Sequence, residues 1–149
     1  MAKQLSQFRI IKNGNDFNRA MRDIAQAMQE DFEIILRKLA LDAFRSVVRR
    51  TPVDYGYLRN NWDIVVDSTP PEQPKAEQGK KKYTAPKAPS FDVKFNSIII
   101  IYNNTKYAIY IEEGTPKMQA QPMVRPTEEM LRRTAEKLAT ALSKKGYKI

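Results

Sequence analysis

Neither cysteine nor histidine occurs in this chain. Without cysteine there are no disulfides, no thiolate metal sites and no thiol nucleophile. Without histidine the commonest general base and the commonest transition-metal ligand are both gone. Any catalysis would have to run on carboxylates, lysines or hydroxyls. Long apolar runs are missing too. No uninterrupted stretch approaches the roughly 20 residues that span a bilayer, and the N-terminal Met-Ala-Lys-Gln-Leu-Ser-Gln-Phe-Arg has no apolar segment of the signal-peptide kind. The expectation is a chain made and kept in a reducing cytosol, with no membrane contact. Acid is in short supply: 26 Lys and Arg against 17 Asp and Glu leave a net charge of +9. That balance suits nucleic acid or an acidic protein surface without choosing between them. No dinucleotide fingerprint, phosphate-binding loop or EF-hand loop is present, so no cofactor is expected. What remains is a chain of 149 residues, long enough for one domain, 1–149, with a real core.

Residues 8–12 read as a short strand, apolar at Phe8, Ile10 and Ile11. Asn13-Gly14-Asn15 is a turn signal, with Asn15 placed to cap a helix that begins at Asp16. From there Phe17, Met21, Ile24, Met28, Phe32, Ile35, Leu39, Ala43 and Val47 recur at spacings of three and four, a helical stripe. Charged and polar residues, Arg37 and Lys38 among them, take the other face. At about 1.5 Å per residue such a helix is on the order of 50 Å long, more than the domain needs, so one end is free to pack on a neighbouring chain. Pro52 disfavours helical geometry in the residue before it and sets the end near Thr51. Asp54-Tyr55-Gly56 makes a turn. Trp62, Ile64 and Val66 then alternate with polar and smaller positions, a strand with one apolar face.

Residues 68–90 change character. Five prolines and the run Gly79-Lys80-Lys81-Lys82 leave few residues able to build a core, so the stretch reads as a long extended loop or arm. Its polarity predicts mobility in the isolated chain and order only against a neighbour. Phe91, Val93 and Phe95 alternate as a strand, Asn96-Ser97 turns, and Ile98 to Tyr102 is strongly β-forming, with four isoleucines that suit burial on both faces. Asn103-Asn104 closes it. A second helix runs over about 127–144, with Leu131, Ala135, Leu138 and Leu142 as its stripe. Glu128 and Glu129 at its start and Lys144 and Lys145 at its end favour the helix dipole, and Gly146 terminates it. These elements give an α+β fold class: a small, mostly antiparallel sheet packed against a long N-terminal and a shorter C-terminal helix, with a long Pro/Lys-rich loop.

Between the last strand and the second helix lies a joint. Tyr107, Tyr110 and Ile111 fall at i, i+3, i+4 on one side of a short helical turn. Gly114 stands where a left-handed residue ends that turn without a Cβ penalty. Pro116, Pro122 and Pro126 stiffen the chain beyond it, and Pro126 opens the next helix.

Three stretches together resemble a phage family. Thr51-Pro-Val-Asp-Tyr-Gly-Tyr-Leu-Arg-Asn-Asn-Trp62 resembles its Thr-Pro-Val-Asp-Thr-Gly-x-Leu-Arg signature. Tyr107-Ala-Ile-Tyr-Ile-Glu-Glu-Gly-Thr115 resembles Tyr-Ala-x-Tyr-Val-Glu-x-Gly-Thr. Ala120-Gln-Pro-Met-Val-Arg-Pro126 resembles Gln-Pro-Phe-x-x-Pro. The family is that of the neck and tail-completion proteins of tailed bacteriophages, which join head to tail. The chain departs from it at Tyr55 for Thr, Glu113 for an aromatic, Met123 for Phe and Thr127 for Ala. The resemblance implies a structural subunit of the virion neck, assembled in the host bacterial cytoplasm. It implies a homo-oligomeric ring, usually a hexamer, around the channel through which DNA leaves the head. The implied partners are other copies of the chain and neighbouring neck and tail proteins: a connector or stopper, a tail terminator or the tail tube. DNA in the lumen would be touched only passively. No catalytic residue, cofactor or metal is implied. The residues marked for structural or interface roles are Thr51, Pro52, Asp54, Gly56, Leu58, Arg59 and Trp62 in the first stretch. In the second and third they are Tyr107, Tyr110, Glu112, Gly114, Thr115, Pro122 and Pro126.

Two rival readings stand beside this one. Asp92-Val93-Lys94 on a strand, with Asp63 or Asp67 on an earlier one, fits the loose pattern of magnesium-dependent nucleases. Lys80, Lys81 and Lys82 next to Tyr83 pair a basic run with an aromatic, as in sequence-tolerant nucleic-acid binding; the simpler reading is a solvated loop. Arg59 and Glu112 either pair across the joint as a buried or interfacial ion pair or are unrelated surface charges.

Overall fold

The computed structural model describes residues 31–75, 79, 82–94 and 97–144. The strand expected at 8–12, the turn after it, the helix over 16–30 and the terminator Gly146 lie outside the described residues. Helix α1, Asp31–Arg50, ends where the Thr51-Pro52 pair requires. The Thr51 N–H and hydroxyl both donate to the Val47 carbonyl, at 3.1 and 2.6 Å, and Pro52 has no N–H with which to continue the ladder. Leu39, Ala43 and Val47 of the expected stripe are buried, and Ala40 and Phe44 widen it by one position.

A single turn, α2 (Tyr57–Asn60), leads into β1 (Trp62–Val66). This strand pairs antiparallel with β2 (Ile99–Asn103), in the register Trp62↔Asn103, Ile64↔Ile101, Val66↔Ile99. All five residues of β2 are buried, as the isoleucine run implied. Helices α3 (Ala108–Glu113) and α4 (Val124–Lys144) come next. α1 lies across the two-stranded sheet and against α4. Trp62, Phe44 and Met123 are the largest side chains fully enclosed between these elements. A buried polar seam ties α1 to α4. The Arg50 Nε donates to Ser46 Oγ at 3.3 Å, and Ser46 lies 2.8 Å from Thr127 Oγ1, which donates to the Met123 carbonyl at 2.8 Å. Each hydroxyl thus has an acceptor and a donor, the condition for a polar chain to sit inside a core.

Three expectations do not hold. Residues 91–94 belong to no strand, although Val93 is buried between exposed Asp92 and Lys94; Phe95 and Asn96 lie outside the described residues. Helix α4 starts at Val124, ahead of Pro126 and Thr127, because its first turn is capped from another element. The described parts of 68–90 have neither helix nor strand, but they do lie on the chain's own surface. The Asn104 side-chain amide donates to the Pro71 carbonyl, and Lys75 Nζ to the Trp62 carbonyl at 3.2 Å. Tyr83 N–H donates to the Tyr55 carbonyl at 2.8 Å, and the Asn60 amide to the Thr84 carbonyl at 3.0 Å. Side-chain polarity was a poor guide because three of these four tethers use the segment's main-chain groups, at Pro71, Tyr83 and Thr84.

Candidate functional site

The first signature stretch folds as a bracket around Trp62. Its indole N–H donates to Thr51 Oγ1 at 2.7 Å, and that hydroxyl donates its own proton to the Val47 carbonyl. The helix end, the Thr and the strand's first residue are therefore locked together inside the core, where Thr51 and Trp62 are both buried. Gly56 permits the return. It has φ +81° and ψ 8°, and a Cβ there would fall 2.5 Å from the Tyr83 carbonyl oxygen. The conformation is left-handed and the space is already filled by backbone. Leu58 is buried, and its carbonyl accepts the Asn103 amide at 2.7 Å. Pro52 is half-buried, and Asp54 is exposed on the outer side of the turn.

Replacing Thr51 with Val keeps the shape and removes the acceptor. The buried indole donor is then left unpaired, an expected loss of about 1–3 kcal/mol. Trp62 is the sole tryptophan, so its emission maximum should shift along with the urea midpoint. Unchanged emission and midpoint would show that the indole bond carries no stability.

The second stretch forms α3, as its spacing indicated, with a different inner face. Ala108 and Glu112 are buried, Tyr107 and Ile111 half-buried, and Tyr110 is 56% exposed. The inward pairs are 107/111 and 108/112, two i, i+4 rows side by side, so Tyr110 falls outside them. Gly114 ends the helix with φ +78° but ψ 177°. This is an extended, positive-φ conformation open essentially to glycine alone, not the left-handed one expected. The chain then turns tightly over Thr115–Met118, with Thr115 N–H donating to the Met118 carbonyl at 2.8 Å, and returns under Gly114. Thr115 is exposed and Pro122 half-buried.

Glu112 decides how α4 begins. Its Oε2 accepts the N–H groups of Met123 and Val124 at 2.6 and 3.0 Å, and its Oε1 accepts that of Arg125 at 3.0 Å. A helix leaves four N–H groups without intrahelical partners at its start. Here one carboxylate takes three of them, and the fourth position is Pro126, which has none. The negative charge also sits at the positive end of the helix dipole. Glu112 therefore pairs with a helix terminus and not with Arg59, whose Nε is buried without a hydrogen-bond partner among the described residues.

The two stretches meet through tyrosines. The Tyr57 ring lies 6.1 Å from that of Tyr107 and 6.2 Å from that of Tyr83. Burial, with the neighbouring phenols adding, raises the pKa of both Tyr57 and Tyr107, and Asp54 adds further to the latter. Tyr83, expected to pair with the lysine run, is thus turned onto Tyr57. Of that run Lys82 is exposed, while Lys80 and Lys81 lie outside the described residues.

The carboxylates of the nuclease pattern are dispersed among local partners. Asp92 lies 3.6 Å from Arg37, and Asp63 Oδ1 accepts the Ile64 N–H at 2.9 Å. Asp67, at φ +52°, accepts the Ile98 N–H and the Ser97 hydroxyl, both at 2.8 Å, and these bonds, with Lys94 nearby, hold its pKa below the ordinary carboxylate value. Among the described residues no group of three or more acidic side chains could hold a metal ion. Sequence reasoning missed Ser46, Asn61, Asn103 and Thr105, all buried. Asn103 donates to Leu58 while its Oδ1 accepts both the N–H and the hydroxyl of Thr105. Their only signal was a polar residue at an apolar position.

Residues 15–114 match the model of the HK97-gp10-like family, described as "Bacteriophage HK97-gp10, putative tail-component". The matched range takes in the first signature stretch and the second as far as Gly114, and stops short of Thr115 and of residues 120–126. No curated protein and no solved structure matches the chain.

Proposed function

Because the chain belongs to the HK97-gp10-like family of phage tail components, we propose that it is a structural subunit that forms a ring, completes the tail and joins it to the head around the DNA channel. The observation that carries this reading is how the signature residues divide. Thr51, Gly56, Leu58, Trp62, Glu112 and Gly114 hold the joint rigid from inside. Val53, Tyr55 and Tyr110, in the same stretches, are exposed at 52%, 45% and 56%. Only two other large hydrophobic side chains among the described residues are as open, Ile34 and Ile98. In a subunit that repeats around a ring, exposed apolar side chains such as these can pack against a neighbouring copy. The absence of histidine and cysteine fits a part that works by shape.

Native mass spectrometry of the purified chain and of extracted tails tests this. A discrete closed oligomer is expected, a hexamer in the simplest case. Tyr55→Glu combined with Tyr110→Glu should leave the fold intact and abolish that oligomer, and phage carrying the double change should accumulate unattached heads and tails. An oligomer or infectious titre unaffected by both changes would overturn the reading.

A further inference from the structure

Arg59 is a signature residue that the joint does not use. Among the described residues it makes no ion pair and its buried Nε has no hydrogen-bond partner. A guanidinium is always charged, so an unpaired buried donor on it is a standing cost that a ligand can relieve. Arg59 lines a cleft of about 450 Å³ between the C-terminal half of α1 and residues 85–88. Val48, Ala85, Pro86 and Ala88 give it apolar walls, with Phe44 enclosed beneath, and Arg45, Arg49, Arg59 and Lys87 complete the lining, with no carboxylate among the described lining residues. Among the described residues only Arg45 of these cations has an acidic neighbour, Asp42 at 3.6 Å.

The cleft makes two demands. It wants negative charge at a planar, fork-shaped donor, and it wants apolar groups over Val48 and Pro86. A free anion meets the first alone. Duplex DNA offers phosphates on a convex surface, with no apolar chain to fill a side-chain-sized recess. A polypeptide in which acidic and apolar residues are interleaved meets both, with a carboxylate placed on the Arg59 fork. We propose that this cleft is the docking site for such an acidic, apolar-interleaved segment of a partner protein. The inference goes beyond the ring reading and stands without it, since it rests on the cleft alone.

The test uses a fluorescein-labelled random copolymer of glutamate and tyrosine, with polyglutamate and duplex DNA as comparison ligands, at physiological ionic strength. The wild-type chain should bind the copolymer at least about tenfold more tightly than either comparison ligand. Adding it should move the Arg59 Nε–H resonance in ¹H–¹⁵N spectra. Arg49→Glu combined with Lys87→Glu changes two exposed rim residues; it should retain the wild-type melting temperature and lose binding by about tenfold or more. Arg59→Gln should lose binding similarly. The proposal is overturned if the wild-type chain does not bind the copolymer, if the rim variant binds it within about twofold of wild type, or if the Arg59 resonance stays fixed while the copolymer binds. Duplex DNA binding more tightly than the copolymer and displacing it would assign the cleft to nucleic acid instead. None of these readouts depends on ring formation, so failure here and failure of the ring reading are separate results.

Discussion

Glu112→Leu is expected to destabilise the chain by about 3–5 kcal/mol, because three N–H groups at the start of α4 lose a charged acceptor at once in a buried site. The loss should lower the melting temperature by on the order of 10 °C for a chain of this size. Glu112→Gln separates charge from shape. The amide keeps one oxygen and turns an NH₂ toward a backbone N–H, so it should fall between wild type and Leu. The carboxylate makes its bonds to Met123, Val124 and Arg125 and none to Arg59. Combining Glu112→Leu with Arg59→Gln should therefore give the sum of the single effects, since independent sites add. A coupling of more than about 1 kcal/mol in that cycle would restore the ion pair across the joint and contradict this geometry. Chemical denaturation followed by circular dichroism supplies all four values.

Gly114→Val is expected to cost about 3 kcal/mol or more, on two grounds that add. The backbone conformation is one that side chains do not adopt, with φ +78° and ψ 177°. A Cβ would also stand 2.7 Å from the Ala120 nitrogen and 2.9 Å from the Met118 oxygen. Both are backbone atoms held by the turn over Thr115–Met118 and the return after it, so neither can swing aside. Asn is the informative second substitution. It tolerates the left-handed region, so Gly114→Asn would be mild if Gly114 were an ordinary left-handed helix cap. At ψ near 180° Asn has no such advantage and should lose nearly as much as Val. A neutral Asn variant would sink this account of the position. Both predictions act on the same few residues: Glu112 ties α3 to the start of α4, and Gly114 lets the intervening chain turn back underneath.

Much of the fold was legible in local patterns. The stripe Leu39, Ala43, Val47, the stop at Thr51-Pro52, the alternation Trp62, Ile64, Val66 and the isoleucine run of β2 all register within a few residues of themselves. Their spacing alone shows which side turns inward. The short turn after Tyr107 and the glycine that ends it were legible for the same reason. Where reading failed, the deciding contact came from far along the chain. Tyr110 looked inward by spacing, but Ala108 and Glu112 took the inner face because α4 begins against them. Residues 82–88 looked like a free arm by composition, but their main chain found Tyr55 and Asn60.

The sequence by itself determined that this protein does without thiol and imidazole chemistry, that it is basic, and that it is built from helices and a small sheet joined by two stiff corners. Those properties come from composition and from interactions within a turn or two of chain. Only the tertiary structure decided the partners of its charges. Glu112 and Arg59 are equally polar members of two signature stretches, and nothing in their spacing distinguishes them. Packing α3 against the start of α4 brings three unpaired N–H groups to Glu112, while packing residues 85–88 against α1 leaves Arg59 in a cleft lined by other cations. A charge buried by folding carries a free-energy cost unless the same folding event delivers its counterpart, as it does for Glu112 and does not for the Arg59 Nε among the described residues. Which counterpart arrives depends on segments distant in sequence, so it becomes fixed only when the core closes.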